Sequence, residues 1–311
     1  MTNKLEYKEL LIFHPGYYIK EIIDGQGITQ EELSKRLQTT PKYVSDLVNG
    51  RINLTDEMVL KLSNLFGTST TLWLNLNQKY IERKLEVDRR MCMDKECEIV
   101  RMIDYRFWVK LGLVDDTRIA EEKVSELQRY FRVSSLTVLQ DRDFLVQFRT
   151  DLTDVRDINV INANAWVQTA INIGSEMETK VYDRRLLKEM LPELCDIKKG
   201  KSDDLTERMR ELLGECGVAL VLLPHLRNSG VSGAVKWIGK DKVVLALSDR
   251  GKYSDAFWVL FFHELGHVLQ QRIKVLNVSG ADELQISETV ERLEADADSF
   301  AAEMMNRCEA C

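Results

Sequence analysis

The sequence predicts a multidomain, mainly α-helical chain: an N-terminal helical bundle, a helical middle, and a C-terminal α+β module with a small sheet. Three observations carry that class. Apolar residues recur at three-four spacing through about the first 200 residues, with Gly, Thr or Asn punctuating the shorter segments. The polar cluster Lys198–Asp204 then interrupts the pattern and is the best linker candidate. Beyond it Val218–Leu223 is a continuous apolar run, and Gly233–Ile238 and Val243–Leu247 are short β-rich runs, enough for about three strands. The expected domains are 1–86, 87–200 and 201–311.

Taken in order, residues up to about Glu86 read as several short helices. The middle carries longer amphipathic segments. In Ile119–Phe131 the stripe is Ile119, Val124, Leu127, Tyr130 and Phe131; Ala163–Ile173 and Tyr182–Leu194 follow, the latter broken at Pro192. After the strand-like runs, Ser254–Ile273 and about Ser287–Asn306 read as two further helices. No internal repeat and no low-complexity stretch is present.

Composition excludes several classes. With 44% hydrophobic and 30% charged residues in 311, the chain is that of a folded protein with room for two or three cores. Its longest apolar run, Ala256–Phe262, is far shorter than the ~20 residues that span a bilayer. The start MTNKLEYKELLIF lacks the layout of a signal peptide, so a cytoplasmic location is expected. Six cysteines in such a chain are expected to be reduced thiols, with the Cys308/Cys311 pair in a frayed tail. The net charge of −7 means that a claim of nucleic-acid binding must rest on a motif and not on bulk charge.

One such motif lies in Thr29–Gly50. Thr29 is placed to cap a helix with Glu32 completing a capping box, and Leu33 and Leu37 form its buried face. Thr40 then caps a second helix with Pro41 at its first position; Val44, Leu47 and Val48 face inward, and Asn49-Gly50 ends it. Two short helices joined by a tight turn, the second polar outside, suit a reader of the DNA major groove. Thr40, Lys42, Tyr43, Ser45 and Asn49 are the candidate contacts, with Arg51 placed for a phosphate. A bundle whose polar face is only solvated fits the same geometry, and the segment to Glu86 holds equal numbers of acidic and basic residues.

A resemblance adds to this. Pro15-Gly16, Ile28-Thr29-Gln30, Asn49-Gly50-Arg51 and Leu72-Trp73-Leu74-Asn75, with Gln78 and Tyr80, resemble HigA-type antitoxins of the XRE helix-turn-helix family over about residues 14–84. That resemblance implies a homodimer, operator DNA as a partner, and a toxin protein as a further one.

At the other end, His263-Glu264-Leu265-Gly266-His267 fits H-E-x-x-H inside an apolar helical context. Residues four apart share a helix face, so both imidazoles can hold one Zn²⁺, while Glu264, turned off that face, can take a proton from water that the metal activates. His14 and His225, both beside prolines, read as loop residues without a role. A catalytic zinc needs a third protein ligand, and Glu291, Glu294, Asp296 and Asp298 lie on the late helix around the stripe Val290, Leu293, Ala297, Phe300, Ala301 and Met304. Periodicity alone leaves Glu294 and Asp296 both open.

Gly233-Ala234, Leu245-Ala246-Leu247-Ser248, Phe257-Trp258, the His263–His267 motif and Ala297-Asp298-Ser299-Phe300-Ala301 resemble the ImmA/IrrE family of zinc metallopeptidases over about residues 205–305. That resemblance implies a zincin-like module. It also implies Asp296 as third ligand, at a position where the family has a glutamate; Glu294 is the alternative. The implied substrate is a helix-turn-helix repressor, a separate protein or the chain's own N-terminal domain. The reading from a different class is an antitoxin whose C-terminal module binds a partner or ligand and cuts nothing.

Overall fold

A computed structural model describes residues 4–142, 144, 156–200, 204–250, 252–270 and 283–310. The chain divides into two compact units, Met1–Lys95 and Glu96–Cys311.

The first unit opens with a feature that the helical reading of residues 1–86 omits. Strands β1 (Lys4–Tyr7) and β2 (Leu10–Phe13) form an antiparallel hairpin, with Lys8 at positive φ in its turn. The tip is held by Asp94, which accepts from the Tyr7 hydroxyl and lies 2.7 Å from Lys8 Nζ. Helices α1 (Pro15–Gln26), α2 (Gln30–Arg36), α3 (Pro41–Val48) and α4 (Asp56–Phe66) follow, then the long α5 (Thr70–Met102), inside which the division between units falls. Ile19, Ile23, Leu33, Leu37, Val44, Leu47, Val48, Leu62 and Trp73 make its core. Gly16 lets α1 seat against α3: a Cβ there would meet the Leu47 carbonyl oxygen at 2.0 Å.

The second unit begins with the end of α5 and continues with α6 (Arg106–Lys110), α7 (Ala120–Phe131), a short 3₁₀ turn at Leu136–Gln140, and α8 (Asp157–Glu176). Then come α9 (Arg184–Glu189), α10 (Leu191–Lys199), with Pro192 in its first turn, and α11 (Leu205–Glu215). Strands β3 (Val218–Leu223), β4 (Gly233–Ile238) and β5 (Lys242–Ser248) precede α12 (Asp255–Gln270) and α13 (Glu283–Ala310). Within α7, Val124, Leu127 and Phe131 are buried as expected, whereas Ile119 is the exposed N-cap.

The sheet order is β3-β5-β4, with β3 parallel and β4 antiparallel to β5. Val243, Leu245 and Leu247 of β5 join the core built by α11 and α12. Val244 on the other face, with Val221 of β3, meets Gly174 of α8 so closely that a Cβ would lie 2.6 Å from the Val244 methyls. Trp166 of α8 also donates to the Pro224 carbonyl at 3.0 Å. With helices on both faces β3 and β5 have almost no solvated side, which is why they read as unbroken apolar runs.

Those contacts correct the expected border at 200/201. Helices of the presumed middle and of the C-terminal module share one core, from Leu187 and Leu194 through Leu213 to Phe261, so Lys198–Asp204 is a connection within a unit, its residues 201–203 lying outside the described ones. The expectation of reduced thiols also fails at one place. Packing of α10 on α13 brings Cys195 and Cys308 to a Cα separation of 4.8 Å and they are joined as a disulfide; Cys92, Cys97 and Cys216 are thiols, and Cys311 lies outside the described residues.

Candidate DNA-reading face and metal centre

In the first unit the local rules act as the residues suggest. Thr29 Oγ1 accepts from the Glu32 N–H at 3.1 Å and Thr40 Oγ1 from the Tyr43 N–H at 3.2 Å, so each helix of the pair starts on a threonine cap. The reciprocal half of the capping box is replaced, since the Glu32 carboxylate pairs with Arg36 instead. Between the helices Gln38 takes a positive φ of 50°, and past α3 Gly50 takes 69°. Of the candidate contacts, Thr40 caps, and half-buried Tyr43 packs against the core. Asn49 Nδ2 donates to the Ser45 carbonyl at 2.7 Å and lies 3.4 Å from Ser45 Oγ, while Arg51 is 3.2 Å from Asp46. Lys42 is exposed and makes no ion pair among the described residues.

His14, read as a loop residue, has a structural task. It is the N-cap of α1, buried, with Nδ1 accepting from the Gly16 N–H at 2.9 Å and its ring edge-on to Tyr80. Burial holds its pKa down at about 4. His225 is exposed.

In the second unit α12 is buried nearly all round, by Phe257, Trp258, Phe261, Phe262, Leu265, Val268 and Leu269. It carries His263, Glu264 and His267 into the interior, where His263 and Glu264 are 1% and 5% exposed. Helix α13 crosses it at Gly266, where a Cβ would come within 3.2 Å of the Ala297 Cα. That close approach delivers Glu294 and Asp298, four residues apart and so on a single face of α13.

The result is a compact donor group of His263, His267 and Glu294, whose ligand atoms all lie within 4.8 Å of one another. The two Nε2 atoms are 3.0 Å apart, and Glu294 oxygens stand 3.4 Å from His263 Nε2 and 3.3 Å from His267 Nε2. A tetrahedral zinc with bonds of about 2.0–2.1 Å sets its ligand atoms roughly 3.3 Å apart, so the observed triangle fits that ion. The facing Nε2 atoms cannot both carry a proton, and two lone pairs converging on one point suit a cation. The other ring nitrogens are held from behind: His263 Nδ1 lies 2.8 Å from Asp298, and His267 Nδ1 lies 3.0 Å from Gln270 Oε1. Gln270 in turn donates to the Leu293 carbonyl at 2.7 Å, tying α12 to α13. The Gln270 partner of His267 fixes the imidazole tautomer that leaves its Nε2 available.

Charge in the group follows the same geometry. Burial opposes a proton on His267, but hydrogen bonds to Glu294 and Gln270 and the field of Glu264 outweigh it, and its pKa is raised. Hydrogen bonds to His263 and His267 hold Glu294 far below the ordinary carboxylate range.

Asp296 is therefore corrected. It is exposed and outside the group, because a position two residues on from Glu294 is turned about 200° around the helix, at 3.6 residues per turn. Glu264 packs against β4 so tightly that a Cβ on Gly233 would sit 2.4 Å from its Oε1. Asp298 as an outer partner, Gln270 and the packing role of Gly266 were not assigned from sequence; the spacings 267/270 and 294/298 were the available signals.

Comparison with known proteins bears on the first unit. A family model described as helix-turn-helix matches residues 19–73. The HTH-type transcriptional regulator YddM of Escherichia coli K12, itself uncharacterised, is 33% identical over 79 residues, which are 24% of this chain and 84% of that protein. Virulence-associated protein A′ of Dichelobacter nodosus is 37% identical over 83 residues, 26% of this chain and 70% of that one. The chain belongs to the helix-turn-helix family. A solved structure of a candidate antidote protein of a plasmid maintenance system from Nostoc punctiforme is 27% identical and covers 26% of this chain and 94% of that one, with a TM-score of 0.23. The helix-turn-helix match lies wholly inside the first unit, around the α2–turn–α3 pair.

Proposed function

We propose that this helix-turn-helix regulator binds operator DNA as a dimer and carries a zinc-dependent endopeptidase site that cuts a protein, the substrate class being a helix-turn-helix repressor or its own first unit. The observation that carries the enzymatic half is the triangle of His263, His267 and Glu294 with a buried carboxylate, Glu264, beside it on the same helix. The resemblance of residues 205–305 to ImmA/IrrE peptidases supports it. A cognate toxin remains part of the proposal through the HigA-like resemblance alone.

A zinc ion held there would supply Lewis acidity, polarising a carbonyl and making water more acidic. The chain's own groups do the rest. Glu264 takes a proton from the attacking water, and after the C–N bond breaks the same carboxyl hands that proton to the departing amine. His263 and His267 turn Nε2 towards the point where the ion would sit, with Gln270 Oε1 3.0 Å from the Nδ1 of His267 and Asp298 2.8 Å from that of His263.

The test begins with zinc per chain in protein purified without chelator and again after zinc add-back. About one equivalent, lost in His263→Ala, and cleavage abolished in Glu264→Gln with zinc retained, are the expected results. No zinc under either condition removes the enzymatic reading. Zinc without cleavage of any repressor-like protein favours the reading in which the second unit only binds a partner. For the first unit, Lys42→Ala is expected to weaken operator binding at unchanged zinc content.

A further inference from the structure

One cavity reaches the base of the proposed reaction. It encloses about 430 Å³ and runs along one face of α12, by Ala256, Phe257, Leu260 and Glu264, against the stretch Gly230–Gly233 that leads into β4, with Ser248 at the end of β5 and Arg250 just past it. Its walls are mostly apolar: Val231 and Phe257 are buried, and Leu260 packs on the core.

Two charged groups line it, Glu264 and Arg250. Glu264 is eight residues along α12 from Ala256, about 12 Å at 1.5 Å per residue. Arg250 comes two residues after β5 and five before the start of α12, and its N–H donates to Ser248 Oγ at 3.4 Å. The Arg250 side chain is exposed and makes no ion pair among the described residues. Of the nearby acids, Asp255 lies 3.4 Å from Lys198, and Asp249 is exposed.

We propose that this cavity seats the substrate side chain adjoining the scissile bond and that Arg250 selects a carboxylate there. The preferred substrate is then a peptide segment with an acidic residue, glutamate above aspartate, at that position. A glutamate side chain lays two methylenes along Phe257 and Leu260 and brings its carboxylate to the guanidinium. A basic side chain would meet Arg250 with like charge, and an amide would forgo the charge-assisted hydrogen bond. The proposal rests on the peptidase reading above.

The test uses the zinc-loaded full chain and a mixture of capped random-sequence peptides, with cleavage sites read by mass spectrometry. Wild-type protein is expected to cut next to Glu more often than next to Gln or Lys. Replacing the charge in Arg250→Gln should reduce the Glu-over-Gln ratio by about tenfold, the scale of one charge-assisted hydrogen bond. Arg250→Glu should turn the preference towards Lys and Arg. Zinc content reports whether each variant is folded at the site. Zinc-dependent cleavage without an acidic preference, or one that survives Arg250→Glu, overturns the role of Arg250 and leaves the peptidase reading in place. No zinc-dependent cleavage of any peptide removes that reading and this one with it.

Discussion

At the scale of single residues, the third ligand is the sharpest case. Glu294→Ala removes one corner of the donor triangle and should weaken zinc binding by at least 100-fold, whereas Asp296→Ala, on an exposed face, should leave it unchanged. Competition titration against a chromophoric chelator reads both. Gln270→Ala should lie between, at roughly 10–100-fold, because it frees the Nδ1 side of His267. His14 gives a pH prediction. Its native pKa is about 4 against an ordinary 6.5, so between those values the unfolded chain binds a proton that the native chain refuses. Stability of the first unit should thus fall as pH drops from about 6.5 to about 4, by on the order of 2–3 kcal/mol at 1.36 kcal/mol per pH unit. Chemical denaturation across that range should show the slope in wild type and a flatter one in His14→Asn, which can still cap α1 without titrating.

At the scale of elements, two glycines set how helices meet. Gly16→Ala drives a methyl into the Leu47 carbonyl, a backbone atom that cannot swing aside. It should destabilise the first unit by roughly 2–4 kcal/mol, read from the shift in its denaturation midpoint. Gly266→Val separates α12 from α13 near Ala297 and so moves Glu294 off the histidines. The expected mark of this change is a loss of zinc affinity of about tenfold or more, with α12 still helical by circular dichroism. Several element starts were legible beforehand, whereas α5 runs on to Met102, past the border expected at residue 86, and α8 starts six residues before the expected Ala163. Thr29, Thr40 and Pro41 announce helix starts through chemistry confined to a few residues, and the three strands fall within one residue of the apolar runs. The β1–β2 hairpin was not, because four-residue strands with a charged two-residue turn lack a long enough alternation to rise above the helical pattern around them.

At the scale of the whole molecule, each unit has its own buried core. Calorimetry should therefore resolve two transitions, and zinc should raise only that of the second unit, by about 4 kcal/mol at a free concentration 1,000 times its dissociation constant. A uniform rise of both would contradict this division. The disulfide between Cys195 and Cys308 adds to the second unit, and its reduction should lower that transition alone.

By itself the sequence determined what is written in neighbouring residues: the threonine-capped helix pair of a helix-turn-helix, the buried helix that bears His263, Glu264 and His267, and the three strands. Those signals survive in one dimension because capping, helical facing and strand burial depend on spacings of one to four residues. Tertiary structure alone decided which carboxylate faces the histidines, that Leu187, Leu194 and Ile197 share a core with the sheet, that Cys195 meets Cys308, and that Glu264 shares a cavity with Arg250. Each of these joins groups many residues apart, and the crossing of two helices at Gly266 and Ala297, not any local preference, selects Glu294 over Asp296.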